Sequence, residues 1–183
     1  MSTQLFINAH IATGMPGSTA AETAAIQDIL VEDGKFISIA PNLKATLEAQ
    51  GKDMASVEVV DLGGKLVCPP FCDTHLHLDY VFTARKPGAV NESGTLFEGI
   101  QRWSETKADL TVDEIKERAK IGIAKEMRHG VQFIRSHADV TDPNLTSLKA
   151  LLELKEELKD TVTLQIVSFP QEGMYSYEGP HGE

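Results

Sequence analysis

The segment Pro69-Pro70-Phe71-Cys72-Asp73-Thr74-His75-Leu76-His77-Leu78-Asp79 governs how the rest of the chain is read. Proline fixes its own φ and moves the residue before it out of the helical region, so the proline pair sets an extended approach. A strand is predicted to start near residue 72. Alternate side chains of a strand share a face, so His75 and His77 point the same way. Two imidazoles in that relation can each offer a nitrogen to one metal ion at about 2.1 Å. The plainer alternative is a pair of solvated or core-bonded histidines, because a lone H-x-H arises by chance. Asp73 before the pair and Asp79 after it favour the metal reading, since carboxylates commonly orient ligand imidazoles.

Downstream, strands alternate with helices. Leu96, Phe97, Ile100 and Trp103 fall at helical spacing and predict a helix over about 96–106. Thr111-Val112-Asp113-Glu114 is a capping box that opens a second helix. Ile115, Ala119, Ile123 and Met127 form its apolar face, and Gly130 is its stop. Val131 to His137 reads as a strand. Asp142-Pro143 predicts another helix start, with Leu145, Leu148, Leu152 and Leu158 as its apolar face. Val162 to Phe169 is an apolar strand closed by Pro170. This order implies an α/β unit with right-handed crossovers and a parallel sheet. The three strands would be part of a (β/α)8 barrel, whose closed form takes roughly 250 residues.

Upstream, residues 1–66 read as short strands and turns. Leu5, Ile7 and Ala9 alternate with polar neighbours. Two β-rich runs flank Asp33-Gly34, a strong hairpin signal. Residues 14–27 read as a loop, 42–50 as a short helix or loop, and Val57–Asp61 as a strand. These strands carry one apolar face with little to cover it, so they are expected to belong to a sheet completed by something else. The chain is therefore divided into 1–66 and 67–183.

Composition narrows the functional classes. The 183 residues carry a formal net charge of −10, with 42% hydrophobic and 24% charged residues. Such acidity argues against tracking nucleic-acid phosphates, and no apolar run reaches the ~18 residues of a membrane helix. The N-terminus has no basic region followed by an apolar one, so no secretory signal is expected. The only cysteines, Cys68 and Cys72, are too close to frame a disulfide scaffold, which fits a reducing cytoplasm.

Other candidates carry weaker signals. Cys68, Cys72, His75 and His77 offer four zinc-type ligands within ten residues. The stiff proline pair and the opposite strand parity of Cys72 and His75 count against that site, and inert buried thiols are the simpler reading. His137 and Asp139 follow the second strand. His137 is positioned either to point toward the histidine pair or to cap a loop. Gln171 and Glu172 follow the third strand. A glutamine amide matches the edge of an amide-like heterocycle, but on these residues alone a plain surface loop is the preferred reading. His181-Gly182-Glu183 matches the H-x-E of the compact zinc deaminases, but no P-C-x-x-C follows it. Lys155-Glu156-Glu157 reads as a solvated helix face.

Taken together, Pro69–Asp79, Ser93–Trp103, Arg135–Val140 and Gln165–Gly173 resemble the bacterial cytosine deaminases of the amidohydrolase superfamily. The resemblance runs from about residue 60 to 177. It implies a distorted (β/α)8 metal-dependent hydrolase barrel, of which this chain holds about the first three strands. It also implies a preceding β-sandwich segment built from both chain ends. His75 and His77 become two ligands of one divalent ion, iron or zinc. Gln171 becomes the amide that pairs with a pyrimidine edge, and the Leu96 backbone a further contact. Asp73, Asp79, His137 and Asp139 are left to support these groups. The implied reaction is hydrolytic deamination of cytosine to uracil and ammonia, with isocytosine, creatinine or triazine rings as neighbouring substrates. The family's remaining ligands, catalytic glutamate and further histidine match no residue of this chain. The chain alone is thus expected to be an inactive N-terminal fragment of a homo-oligomeric cytoplasmic enzyme, with no nucleic-acid or membrane partner. The rival expectation, from a different class, is a non-catalytic module that binds metal or a partner.

Overall fold

A computed structural model describes residues 2–11 and 25–173. Most of the expected 14–27 loop, and His181–Glu183, lie outside the described residues. Two compact units divide between Pro69 and Pro70.

The first unit is a five-stranded sheet in the order β3-β2-β1-β4, with β5 also paired to β1. Its strands are β1 (Thr3–Ile11), β2 (Ile26–Glu32), β3 (Lys35–Ala40), β4 (Val57–Asp61) and β5 (Leu66–Val67). The Asp33-Gly34 turn forms as the sequence predicts. Both residues have positive φ, 48° and 76°, and Glu32 pairs with Lys35 across a two-residue loop. That backbone matches the twist of a hairpin, and glycine takes it without a Cβ penalty. The bare apolar face expected here is covered in part. Helix α1 (Leu43–Ala49) sets Leu43 and Leu47 against Leu5, Leu30 and Val57. Phe36, Ile37 and Ile39 of β3 remain exposed.

The second unit is a three-stranded parallel sheet, β6-β7-β8, made of β6 (Phe71–Leu76), β7 (Val131–Asp139) and β8 (Thr163–Phe169). Helices α2 (Leu96–Lys107) and α3 (Val112–Arg128) lie between β6 and β7, and α4 (Thr146–Glu157) lies between β7 and β8. Ile134, Ala138 and Leu164 pack with Ile115, Ala119 and Ile123 of α3 and with Ala150, Leu151 and Leu154 of α4. The capping box forms: Thr111 Oγ1 accepts from Glu114 N, and the Glu114 carboxylate accepts from Thr111 N. Gly130 ends α3 with φ 86°, and a Cβ there would sit 3.4 Å from the Phe71 ring.

Two helical expectations are corrected. First, α4 starts at Thr146, not at Pro143. Asp142 instead closes a turn, its carboxylate accepting from Asn144 N and Thr146 N, and Leu145 takes a positive φ of 52° as the N-cap. Second, α4 buries Ser147, Ala150, Leu151 and Leu154, whereas Leu152 is half exposed. The leucine-rich run offers two adjacent stripes, and the small Ala150 beside Leu151 and Leu154 allows the closer approach to the sheet. Lys155, Glu156 and Glu157 are exposed as expected of a solvated face, and Glu157 pairs there with Lys116 and Lys120 of α3. At the start of α2, Leu96 and Phe97 are exposed, and only Trp103 is fully buried.

Parallel pairing gathers the C-terminal ends of all three strands at one edge, which is where the candidate site residues stand. Leu151→Ala is expected to cost about 2–5 kcal/mol in urea unfolding, because it opens a core cavity. Leu152→Ala is expected to stay within about 0.5 kcal/mol.

Candidate active site

The histidine pair depends on an irregularity that strand alternation does not foresee. Asp73 pairs with Ile134 and Leu76 with Ser136, so three steps along β6 oppose two along β7. Such a bulge adds one residue and re-aims the side chains after it. It resets the parity used above to separate Cys72 from His75. Past the bulge, Leu76 faces the helical core, while His75 and His77, the latter just beyond the end of β6, turn to the open side.

Their rings converge. His75 Nε2 lies 3.3 Å from His77 Nε2. Two nitrogens at about 2.1 Å from a shared ion are at most about 4.2 Å apart, so the pair fits one cation. The His77 tautomer is set by its surroundings: Nδ1 lies 3.1 Å from the His137 carbonyl oxygen, which can only accept. Nδ1 therefore carries the proton, and Nε2 keeps its lone pair. Burial, opposed by that carbonyl, lowers the His77 pKa and so favours the neutral ring. Among the described residues no group of three or more His, Cys, Asp or Glu side chains is placed to hold a metal ion.

The supporting groups act differently from expectation. Asp73 bonds the His75 backbone N at 2.9 Å, not an imidazole. Asp79 is fully buried, and its Oδ2 accepts from Asp139 N at 2.8 Å, tying the end of β6 to the end of β7. Burial pushes the Asp79 carboxyl up to about 6. His137 contributes its carbonyl to His77 and stacks its ring on His75 at 4.1 Å, while its Nδ1 is buried without a hydrogen-bond partner. Cys68 and Cys72 are free and exposed, so the inert buried-thiol reading is corrected. Cys72 has a glancing position on the open side, beside Phe133 and Arg135.

Asp139 anchors a network that residue patterns did not reveal. Its Oδ2 accepts from Trp103 Nε1 at 2.6 Å and from Lys107 Nζ at 3.1 Å, and its Oδ1 accepts from Thr141 N and Oγ1. Lys107 also reaches Thr141 at 2.7 Å and Glu172 at 2.7 Å. Burial alone would raise the Asp139 pKa, but the bonds from Thr141, Trp103 and Lys107 outweigh it and leave the carboxyl below its usual range. The only sequence signal for Lys107 was its place in the last turn of α2, where a cation also suits the helix dipole.

A pocket of about 730 Å³ opens at this edge. His75, His77, Leu96, Phe169 and Gln171 line it together, with Tyr80 and Trp103 forming an aromatic wall. The chain therefore brings both ligand candidates and both substrate-contact candidates to one cavity. The loop before α2 is laced through Glu98, which accepts from Ser93 Oγ, Ser93 N and Glu92 N, and Thr95 caps the helix. Those bonds, led by the Ser93 hydroxyl, hold Glu98 down at about 2.

A profile of the Amidohydrolase family matches residues 58–183. This chain belongs to the amidohydrolase family. The amidohydrolase chain is 30% identical over 159 residues to N-isopropylammelide isopropyl amidohydrolase of Pseudomonas sp., covering 85% of itself and 37% of that protein. It superimposes on 5-methylcytosine deaminase from Klebsiella pneumoniae, crystallised with 5-fluorocytosine, with a TM-score of 0.76 and 40% identity, over 94% of this chain and 38% of that one. Pterin deaminase of Rhizobium rhizogenes is 28% identical over 152 residues, which is 80% of this chain and 32% of that one. The chain thus spans about a third of the length of each relative. Among the described residues no helix is long and apolar enough to cross a membrane.

Asp139→Asn is expected to destabilise the amidohydrolase chain by about 1–3 kcal/mol at pH 7, because Trp103 and Lys107 lose their charged acceptor while Lys107 keeps Glu172 as partner. The folded-state pKa of Asp139 is depressed, so its contribution is present above the ordinary carboxylate pKa and is lost as pH falls through the folded value. The gap between variant and wild type in urea unfolding should accordingly narrow below about pH 4.

Proposed function

We propose that the protein to which these residues belong hydrolyses the exocyclic C–N bond of a cyclic amidine, with cytosine as substrate and uracil and ammonia as products. The convergence of His75 and His77 at 3.3 Å, in the pocket that also holds Gln171, carries this reading. The likeness to 5-methylcytosine deaminase supports a pyrimidine ring. On this reading β6-β7-β8 are the first three strands of a (β/α)8 barrel, the N-terminal sheet is part of a β-sandwich, and the enzyme works in the cytoplasm as a homo-oligomer.

His75 and His77 would hold one divalent ion, and imidazole suits iron and zinc alike. When bound, such an ion supplies Lewis acidity and brings the pKa of water toward neutrality. The chain's own groups do the rest of the work at this edge. The His137 carbonyl keeps the His77 proton on Nδ1 and its lone pair in the pocket. Gln171 and the Leu96 backbone orient the ring edge, and a site built to bond those atoms rejects rings that lack them. Phe169, Tyr80 and Trp103 pack around the ring and exclude water. The remaining ligands and the proton-transferring carboxylate are assigned to other parts of the full-length protein.

The likeness to N-isopropylammelide isopropyl amidohydrolase favours a second reading, an amine-bearing triazine substrate. Ammonia release from cytosine, measured on the full-length protein loaded with Zn²⁺ or Fe²⁺, separates the two. Turnover of cytosine at least tenfold above that of N-isopropylammelide supports the first reading, and the reverse order supports the second. His75→Ala and His77→Ala are each expected to weaken Zn²⁺ binding by calorimetry and to lower turnover at least 100-fold. Unaltered metal binding in both variants overturns the ligand assignment.

A further inference from the structure

Gln171 is not a free amide at the pocket wall. Tyr80 Oη donates to Gln171 Oε1 at 3.2 Å, across 91 positions of sequence. A phenol both donates and accepts, so either end of the amide can bond Tyr80; the bond holds the Gln171 side chain against the aromatic wall and leaves its other end to the pocket. Tyr80 is itself fixed from both sides. Its ring stacks on Trp103 at 4.4 Å and lies 4.7 Å from the His77 ring. Trp103 is buried and bonded to Asp139 at 2.6 Å. The residue after Gln171 is anchored separately, Glu172 accepting from Lys107 at 2.7 Å. The turn is thus held from two different elements, and the place of the amide rests on one hydroxyl.

We infer that Tyr80 is a positioning residue that holds the Gln171 amide at the pocket wall, one end bonded to the hydroxyl and the other turned to the ligand. The class of ring taken is then one whose edge sets a hydrogen-bonding group, a carbonyl oxygen or a ring nitrogen, opposite the free end of that amide. Tyr80 touches neither the reacting carbon nor the leaving amine in this scheme; it acts through Gln171. The inference rests on the reading of Gln171 as a ligand contact given above.

The test is a double-mutant cycle of Tyr80→Phe and Gln171→Ala in the full-length protein, read as KM and kcat for cytosine. Tyr80→Phe keeps the ring stack and removes only the hydroxyl. It is expected to raise KM about 5- to 10-fold, as befits one neutral hydrogen bond, and to raise KM more than it lowers kcat. In the Gln171→Ala background the same change should cost less than about twofold. Equal cost in both backgrounds, or a fall in kcat with KM unmoved, overturns the inference. Should the wild type release no ammonia from cytosine, the proposed function fails by itself, and Tyr80 is read without ligand. The Gln171 side-chain amide resonances should then lie apart from those of free glutamine in the wild type and move toward them in Tyr80→Phe. Resonances that do not move overturn the inference.

Discussion

The bond from His77 Nδ1 to the His137 carbonyl joins the ends of two neighbouring parallel strands, and the geometry of the site follows from it. It chooses the tautomer, fixes the rotation of the ring and leaves one lone pair aimed at His75. It exists only because β6 and β7 run in the same direction and end together. The buried bond from Asp139 N to Asp79 Oδ2 holds the same junction a few residues on. Two backbone-anchored ties at one corner give a loop-borne histidine the rigidity of a strand residue. A full hydrogen-bond complement from helices alone would not do this, since the helices contribute packing behind the sheet rather than contacts at its mouth.

Much of this arrangement is legible in the amino-acid order. The hairpin at Asp33-Gly34 needs positive φ twice, and the residues there tolerate it. The capping box at Thr111 and the stripe Ile115, Ala119, Ile123 obey local rules that tertiary packing does not disturb. The histidine pair is legible as a pair. The reason it works is not: simple alternation places both rings on one face, but the bulge after Asp73 decides which face. A bulge is a relation between two strands, and one strand's residues carry no trace of it. The α4 stripe is only partly legible for a related reason: Leu148 and Leu158 pack on the core, but Leu151 and Leu154 rather than Leu152 fill it. In a run of leucines the local pattern permits several faces, and the choice belongs to the sheet that receives them.

Tyr80, Lys107 and Trp103 were missed as functional groups because their partners lie 32 to 91 positions away. Nothing in a linear pattern announces that a tyrosine at the end of a motif will meet a glutamine after the third strand. The carboxylates were noticed for the wrong contacts: Asp73 and Asp79 hold backbone amides, which organise the loop that carries the imidazoles. Support for the imidazoles here comes from main-chain geometry more than from carboxylate–imidazole pairs.

Trp103 is the single tryptophan of the 183 residues. Its indole N–H is bonded to a buried carboxylate, and its face lies on the tyrosine that meets both the His77 ring and the Gln171 amide. Its emission therefore comes from one place and one environment. The molecule carries its own optical reporter at the wall of the cavity, so arrival of a cation or an aromatic ring can be followed by native fluorescence, without a label.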